Sequence, residues 1–289
     1  MKIAIVTNTF GKYHRQNVAV ESWLHLKDTF PDDVSLFNLQ FEDEKGTFTD
    51  HYPGVTTAHV LKQSSQTVII EPVKKKLPLI FEIITEGFEV SGADYVVYTN
   101  SDVMLLPRLV EYIIAEKPDC MAGPRLDIES IDSFQKVLDN EVKPVRVEIA
   151  GYDFFVFERK WFEQHKKHFE SDFVIGKPLF DVDYAGLMVL LGKKYHIANG
   201  YPLMALHIHH GIESVTTDSP EKDHNESEHE RNPLFRVANN VMFFNLQNNL
   251  CRRKPWAVFI QPAENEQSNQ KKFFDTMNIH HKNEIKYVE

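Results

Sequence analysis

The first apolar run of the chain, KIAIVT at residues 2 to 7, is continuous and rich in aliphatic side chains, the pattern of a strand buried on both faces of a parallel sheet. A polar turn, NTFGKYHR, follows it. From Gln16 to Lys27 the apolar positions Val18, Val20, Trp23, Leu24 and Leu26 suit a helix, and VSLFNL at 34 to 39 suits a second strand. Strand, helix, strand is the opening of a doubly wound α/β sheet. Residues 40 to 70 carry polar and turn residues with little periodicity, which predicts an insertion or loop. From Pro72 to Val90 helical spacing returns through Leu77, Leu79, Ile80, Ile83, Ile84 and Phe88, and Ser91-Gly92 closes that helix. The lysines Lys74, Lys75 and Lys76 at its start read as a solvated face.

The stretch ADYVVYTNSDVMLLPRLVEYI, residues 93 to 113, predicts a strand from Tyr95 to Thr99, a polar break at Asn100 to Asp102, and a helix near Pro107, where proline suits a first turn. Later strands are expected at 119 to 122, around 153 to 158 and through 195 to 209, with helices at 181 to 191 and 232 to 249. Segment 216 to 231, TTDSPEKDHNESEHER, is almost free of apolar residues and reads as a mobile loop able to close over a ligand. With no internal repeat and no linker, the expectation is one domain over residues 1 to 250 and a C-terminal extension over 251 to 289.

Composition narrows the function classes. The 289 residues are enough to bury a sizeable core without staples. A net charge of -10 argues against a protein that holds nucleic acid by general phosphate neutralisation. Two cysteines, Cys120 and Cys251, supply neither a disulfide framework nor a four-cysteine zinc site. No uninterrupted apolar stretch approaches the roughly 18 residues of a membrane span, and the N-terminal run is too short for a secretory segment. A cytoplasmic protein is expected, with peripheral membrane attachment left open though unsupported by the pattern.

Acidic residues that interrupt apolar segments mark where chemistry could reside, because a desolvated carboxylate needs a hydrogen-bond network, a metal or a substrate. Asp102 follows a strand and precedes a helix, so it could hold a divalent cation or cap the helix. Arg125 in GPRLDI could clamp phosphate or acceptor oxygens, with Asp127 orienting it, or form a surface ion pair. Asp153 in GYDFFVF could orient a sugar hydroxyl or satisfy turn donors. Asp181 and Asp183 begin an apolar helix, where one could act as general base and either could be a first-turn acid favoured by the helix dipole. In LHIHHG, His207 and His209 would point to one side of a strand and His210 to the other, so the three could serve one ion only if the strand ended among them. His224 and His229 lie in a polar segment and read as solvated.

The series YTNSDVML, AGPRLDI, GYDFFVF, IGKPLFDVD and LHIHHG, in that order, resembles the GT-A fold glycosyltransferases across roughly residues 1 to 210. The resemblance implies a mixed, mostly parallel sheet flanked by helices, and a nucleotide-sugar-dependent enzyme. It implies that Thr7, Asn8, Thr9 and Phe10, with Asn100, Ser101, Arg125 and Asp153, bind the nucleotide sugar. Asp102 with His210 or His207 would ligate Mn2+ or Mg2+, and Asp181, then Asp183, would be the base. The implied partners are a nucleotide-sugar donor and a saccharide or lipid-linked saccharide acceptor. The family's paired acids read Asn100-Ser101-Asp102 here, with an amide in the first position. That departure keeps two alternatives open: a non-catalytic nucleotide-sugar or glycan-binding module, and a sugar-nucleotide nucleotidyltransferase.

Overall fold

In a computed structural model of the chain, residues 1–9, 13–45, 52–147, 151–197, 203–210 and 219–240 are described. The first apolar run forms β1 (Ile3–Thr7), with every residue buried. Alternation explains its continuous hydrophobicity: Ile3 and Ile5 enter the core on one face of the sheet, Ala4 and Val6 the core on the other. Ile3, Ile5 and Val6 each contribute about 1.5–3 kcal/mol of hydrophobic stabilisation by this burial.

After α1 (His14–Thr29) come β2 (Val34–Phe41), the edge strand β3 (Thr56–Leu61) and the short α2 (Ser65–Val68). The region read as a loop therefore contains a strand, which pairs in parallel with β2. Its residues lack alternation because, at the sheet edge, most are only partly buried. Helix α3 (Ile80–Ser91) begins later than the pattern suggested. Pro78 disfavours helix at the residue before it, and Leu79 is extended and bridges to Val174.

Next are β4 (Tyr95–Thr99), β5 (Val103–Leu105), α4 (Pro107–Glu116), β6 (Cys120–Gly123), β7 (Leu126–Ile128), the short α5 (Gln135–Leu138) and β8 (Pro144–Val147). They are followed by β9 (Phe154–Glu158), α6 (Arg159–Phe169), α7 (Phe180–Leu191), β10 (Tyr195–Ile197), β11 (Ala205–Ile208) and α8 (Pro220–Arg231). The main sheet has seven strands in the order β10-β6-β9-β4-β1-β2-β3, with β9 antiparallel to both neighbours and the other pairs parallel. A smaller sheet, β5-β11-β7-β8, stands beside it. The mixed, mostly parallel sheet flanked by helices is the expected architecture.

Two expectations fail here. The strand read through 195 to 209 is two strands in different sheets, since β10 pairs with β6 while β11 pairs with β5 and β7. Segment 216 to 231, read as a mobile loop, is helical from Pro220 to Arg231. Its Ser219 cap, Pro220 in the first turn, acids Glu221 and Asp223 at the start and basic residues at the end are helix signals that need no apolar stripe. The face it buries is polar, through Glu221, Asn225 and Glu228. Asn225 accepts from the Val174 amide at 2.9 Å and donates to the Val174 and Pro178 carbonyls at 3.1 Å each.

A further helical run, 233–240, covers the described part of the helix expected at 232 to 249. It lies so close to α7 that a Cβ on Gly186 would collide with the Ala238 backbone. The expected C-terminal extension, 251–289, and Phe10 lie outside the described residues. Among the described residues no helix is long and apolar enough to cross a membrane.

Candidate active site

Strand register brings the first group together. Phe154 of β9 lies opposite Thr99 of β4 on one side and Gly123 of β6 on the other. The residue before β9 is therefore flanked by the residues that leave β4 and β6. Asp153 Oδ1 accepts from Asn100 Nδ2 at 2.9 Å and from an Arg125 terminal nitrogen at 2.6 Å, and Arg125 Nε donates to Asp127 Oδ1 at 2.9 Å. Two of the Arg125 nitrogens are thus held by carboxylates. Asn100 also accepts from the Tyr98 hydroxyl at 2.9 Å. Asp153 is buried, its Oδ2 has no hydrogen-bond partner among the described residues, and burial pushes its carboxyl up against the pull of Arg125.

The smaller sheet assembles the second group. Its register sets His207 of β11 beside Asp127 of β7 and Val103 of β5, the residue after Asp102. The strand ends at Ile208, so strict alternation stops there, and His210 turns back beside His207 with ring centroids 4.9 Å apart. The Nε2 atoms of His207 and His210 each lie 3.6 Å from Asp102 Oδ2. Ligand atoms from Asp102, His207 and His210 all fall within 4.8 Å of one another.

His207 Nδ1 pairs with Asp127 Oδ1 at 2.9 Å, which leaves Nε2 toward Asp102 as the available ligand atom. His209 is not in this group; its Nδ1 meets Asp127 Oδ2 at 3.3 Å. One carboxylate and two imidazoles, one of them backed by a buried acid, are a donor set that fits a divalent first-row cation. Arg15, in the first turn of α1, also reaches Asp102 Oδ2, at 2.9 Å. Burial opposes the charge on Asp102, but the nearby His207 and His210 rings and the Arg15 guanidinium outweigh it and hold the carboxyl well below its usual range. Burial likewise opposes protonation of His207, yet Asp102 and Asp127 raise it.

The two acids of α7 part company, because positions two apart on a helix face nearly opposite ways. Asp181 Oδ2 accepts from the Tyr152 amide at 3.1 Å, next to Asp153, and burial pushes its carboxyl up to about 7. Asp183 is wholly buried on the other side. Its Oδ2 meets His229 Nδ1 at 2.8 Å and its Oδ1 accepts from Asn239 at 3.4 Å; burial raises it to about 6. His224 and His229, read as solvated, are instead docked: His224 Nε2 meets the Asp172 carbonyl at 3.0 Å.

The last residue of β1 and the two that follow it face inward. The Thr7 hydroxyl donates to the Thr99 carbonyl at 3.0 Å, and Asn8 donates to the Leu39 carbonyl at 2.6 Å. Asn38 accepts from the Thr9 amide at 2.9 Å and donates to its carbonyl at 3.0 Å, while Gln40 donates to the same carbonyl at 2.8 Å. Ser101 accepts from Gln16 at 2.8 Å.

The structure thus gathers Asp102, His207 and His210 in one group and Asn100, Arg125, Asp153 and Asp181 in an adjoining one, linked through Asp127. It places Asp183 apart. Arg15, Gln16, Asn38 and Gln40 were not singled out from the sequence as site residues, and His229 was read as solvated. Only Arg15 carried a signal, as a basic residue in the first turn of the helix that follows β1, a turn with no acid.

No family model matches the chain, and no curated protein matches it by sequence. Solved structures that match this chain in part of their shape include S. aureus TarS in complex with UDP-GlcNAc, at 11% identity over 93% of this chain and 78% of that one, with a TM-score of 0.49. The catalytic domain of Drosophila beta1,4galactosyltransferase 7 with xylobiose matches at 12% identity over 81% and 82%, TM-score 0.45. A glycosyltransferase involved in glycosylation of the major capsid of PBCV-1 matches at 10% over 78% and 100%, TM-score 0.37. These are likenesses of shape at low identity, and the chemistry has to be read from the residues of this chain.

Proposed function

We propose that the chain is a glycosyltransferase that moves a sugar from a nucleotide-diphosphate sugar to a hydroxyl of a saccharide or lipid-linked acceptor, with a divalent cation, Mn2+ or Mg2+, assisting. The observation that carries this reading is the adjacency of two unlike groups at the carboxyl ends of β4 and β6. One is a carboxylate–imidazole cluster suited to a cation, and the other holds a raised, partly exposed carboxyl, Asp181. Ligands of open α/β sheets bind at such strand ends.

Asp102, His207 and His210 would hold the cation, which supplies positive charge to the departing diphosphate. Arg125 holds Asp127 and Asp153 in place. The unpartnered Asp153 Oδ2 is left to accept a hydroxyl of the donor sugar, which would satisfy a buried oxygen at little cost. Asp181, whose burial makes it a stronger base than a solvated carboxylate, takes the proton from the acceptor hydroxyl as the new glycosidic bond forms. Asp183 is sealed behind α7 and has no part in this step.

Asn100, which stood for a missing acid and so favoured a non-catalytic module, has a different use in this arrangement. Its amide supports Asp153 and Tyr98. The test is calorimetry with a panel of nucleoside diphosphates, with Mn2+ and with chelator, followed by an assay of diphosphate release from the matching nucleotide sugars. Mn2+-dependent binding that Asp102→Ala abolishes, together with release that requires an acceptor, is the expected result. Binding without turnover of any nucleotide sugar favours the module, and formation of nucleotide sugar from a sugar phosphate and a nucleoside triphosphate favours the nucleotidyltransferase.

A further inference from the structure

Arg15 and the candidate cation compete for one atom. Arg15 Nε lies 2.9 Å from Asp102 Oδ2, and the same oxygen lies 3.6 Å from the Nε2 atoms of both His207 and His210. A cation drawn into this cluster therefore shares a carboxylate oxygen with a guanidinium, and at that separation the two positive charges repel strongly.

The guanidinium has somewhere to go. Its side chain is 29% exposed and lies over the Tyr13 ring at 4.6 Å. It projects from the first turn of α1, a 16-residue helix whose first turn contains no acid, so the positive end of the helix faces the same strand ends as Asp102. Gln16 pins that turn through Ser101 at 2.8 Å, so exchange requires movement of the Arg15 side chain and not of the helix. A planar guanidinium freed beside a cation is well shaped to take two oxygens of a diphosphate.

We propose that Arg15 is an exchangeable partner of Asp102: it neutralises the carboxylate when no cation is bound, and, displaced by the cation, turns onto the donor diphosphate. The second half rests on the glycosyltransferase reading above. The arrangement couples the two ligands, since the cation releases the group that holds the diphosphate and the diphosphate, by linkage, tightens the cation. It also suppresses stray cation binding in the absence of donor.

The test is two titrations on the whole chain. Mn2+ binding without nucleotide is followed by the loss of free Mn2+ signal in electron paramagnetic resonance. Uridine, guanosine, cytidine and adenosine diphosphates, each with its monophosphate as control, are then titrated by calorimetry at saturating Mn2+. Arg15→Ala is expected to bind Mn2+ about fivefold more tightly and the preferred diphosphate about tenfold more weakly, with a smaller loss for the monophosphate.

Arg15→Lys, which keeps the charge without the fork, is expected to match the wild type for Mn2+ and to fall between the two for the diphosphate. An unchanged urea midpoint in Arg15→Ala separates a gain in Mn2+ affinity from misfolding that merely exposes carboxylates and histidines. Unchanged or weaker Mn2+ binding by Arg15→Ala overturns the exchange, as does the failure of both proteins to bind Mn2+. If Mn2+ tightens in Arg15→Ala but no diphosphate binds either protein, the donor reading fails while the competition at Asp102 stands. An equal loss for monophosphate and diphosphate overturns the diphosphate contact.

Discussion

Among the described residues, the aspartate–histidine clusters at Asp102 and at Asp183 behave differently. Asp102 meets His207, His210 and Arg15 with 22% of its side chain exposed, and its carboxyl sits well below the usual range. Asp183 meets His229 and Asn239 with no exposure, and its carboxyl is raised to about 6. Access to solvent and the Arg15 guanidinium, which has no counterpart at Asp183, account for the contrast. An open carboxylate beside a guanidinium stays charged and can exchange partners, whereas a sealed one beside an imidazole and an amide is held for structure, joining α7 to α8 and to the run 233–240.

The comparison can be broken in several ways. The largest effect is expected just outside both clusters: Asp181→Asn should lower sugar transfer about 10³-fold while donor affinity stays within about twofold, as measured by initial rates and calorimetry. Parallel loss of donor binding would refute a base role. At the open cluster, Asp102→Ala should reduce transfer about 100-fold and abolish Mn2+-dependent nucleotide binding, with little change in the urea midpoint.

The sealed cluster should show the reverse. Asp183→Ala strands His229 and Asn239 and should cost about 2–3 kcal/mol in urea unfolding, with Mn2+ affinity unchanged. Altered Mn2+ affinity without loss of stability would erase the distinction. Gly186→Ala forces 233–240 away from α7 and should cost about 2 kcal/mol by the same measurement, again sparing Mn2+ binding.

The smallest effects concern pH. Asp181 works as a base only when ionised, so transfer should rise up to about tenfold per unit below pH 7 and level off above it. A rate that is flat from about pH 5 to 8 would count against the assignment. The folded carboxyl keeps its proton to about 7, against 3.8 ordinarily, so stability should decline as pH rises between those values. At pH 8, Asp181→Asn should therefore be more stable than wild type by on the order of 1 kcal/mol.

Local pattern revealed some of these residues and hid others. The run Tyr95–Thr99, the polar break and the helix at Pro107 are written in consecutive residues, so Asp102 could be singled out before any fold was known. The three-residue strand β5 escaped notice because it is too short to show a period. The end of β11 at Ile208 is what lets His210 join His207, and strict alternation would have separated them. Helix α8 lacks an apolar stripe because it docks through hydrogen bonds made at Glu228 and Asn225, which accept from the Asp172 and Val174 amides, and at His229, so a hydrophobic search passes over it while its caps are plain.

Sequence alone determined the alternation of strands and helices, the acids at strand and helix ends, and the cluster of histidines, because each is a matter of neighbours within a few positions. Tertiary structure decided which of those groups meet. Register against β4 and β6 put Asp153 between Asn100 and Arg125, and a second sheet brought His207 to Asp102 from more than a hundred residues away. Helix geometry then separated Asp181 from Asp183. Contacts between distant segments depend on strand order and facing, which no local spacing specifies, and that is why Arg15, basic in a first turn without acids, gains its partner only when the fold sets it against Asp102.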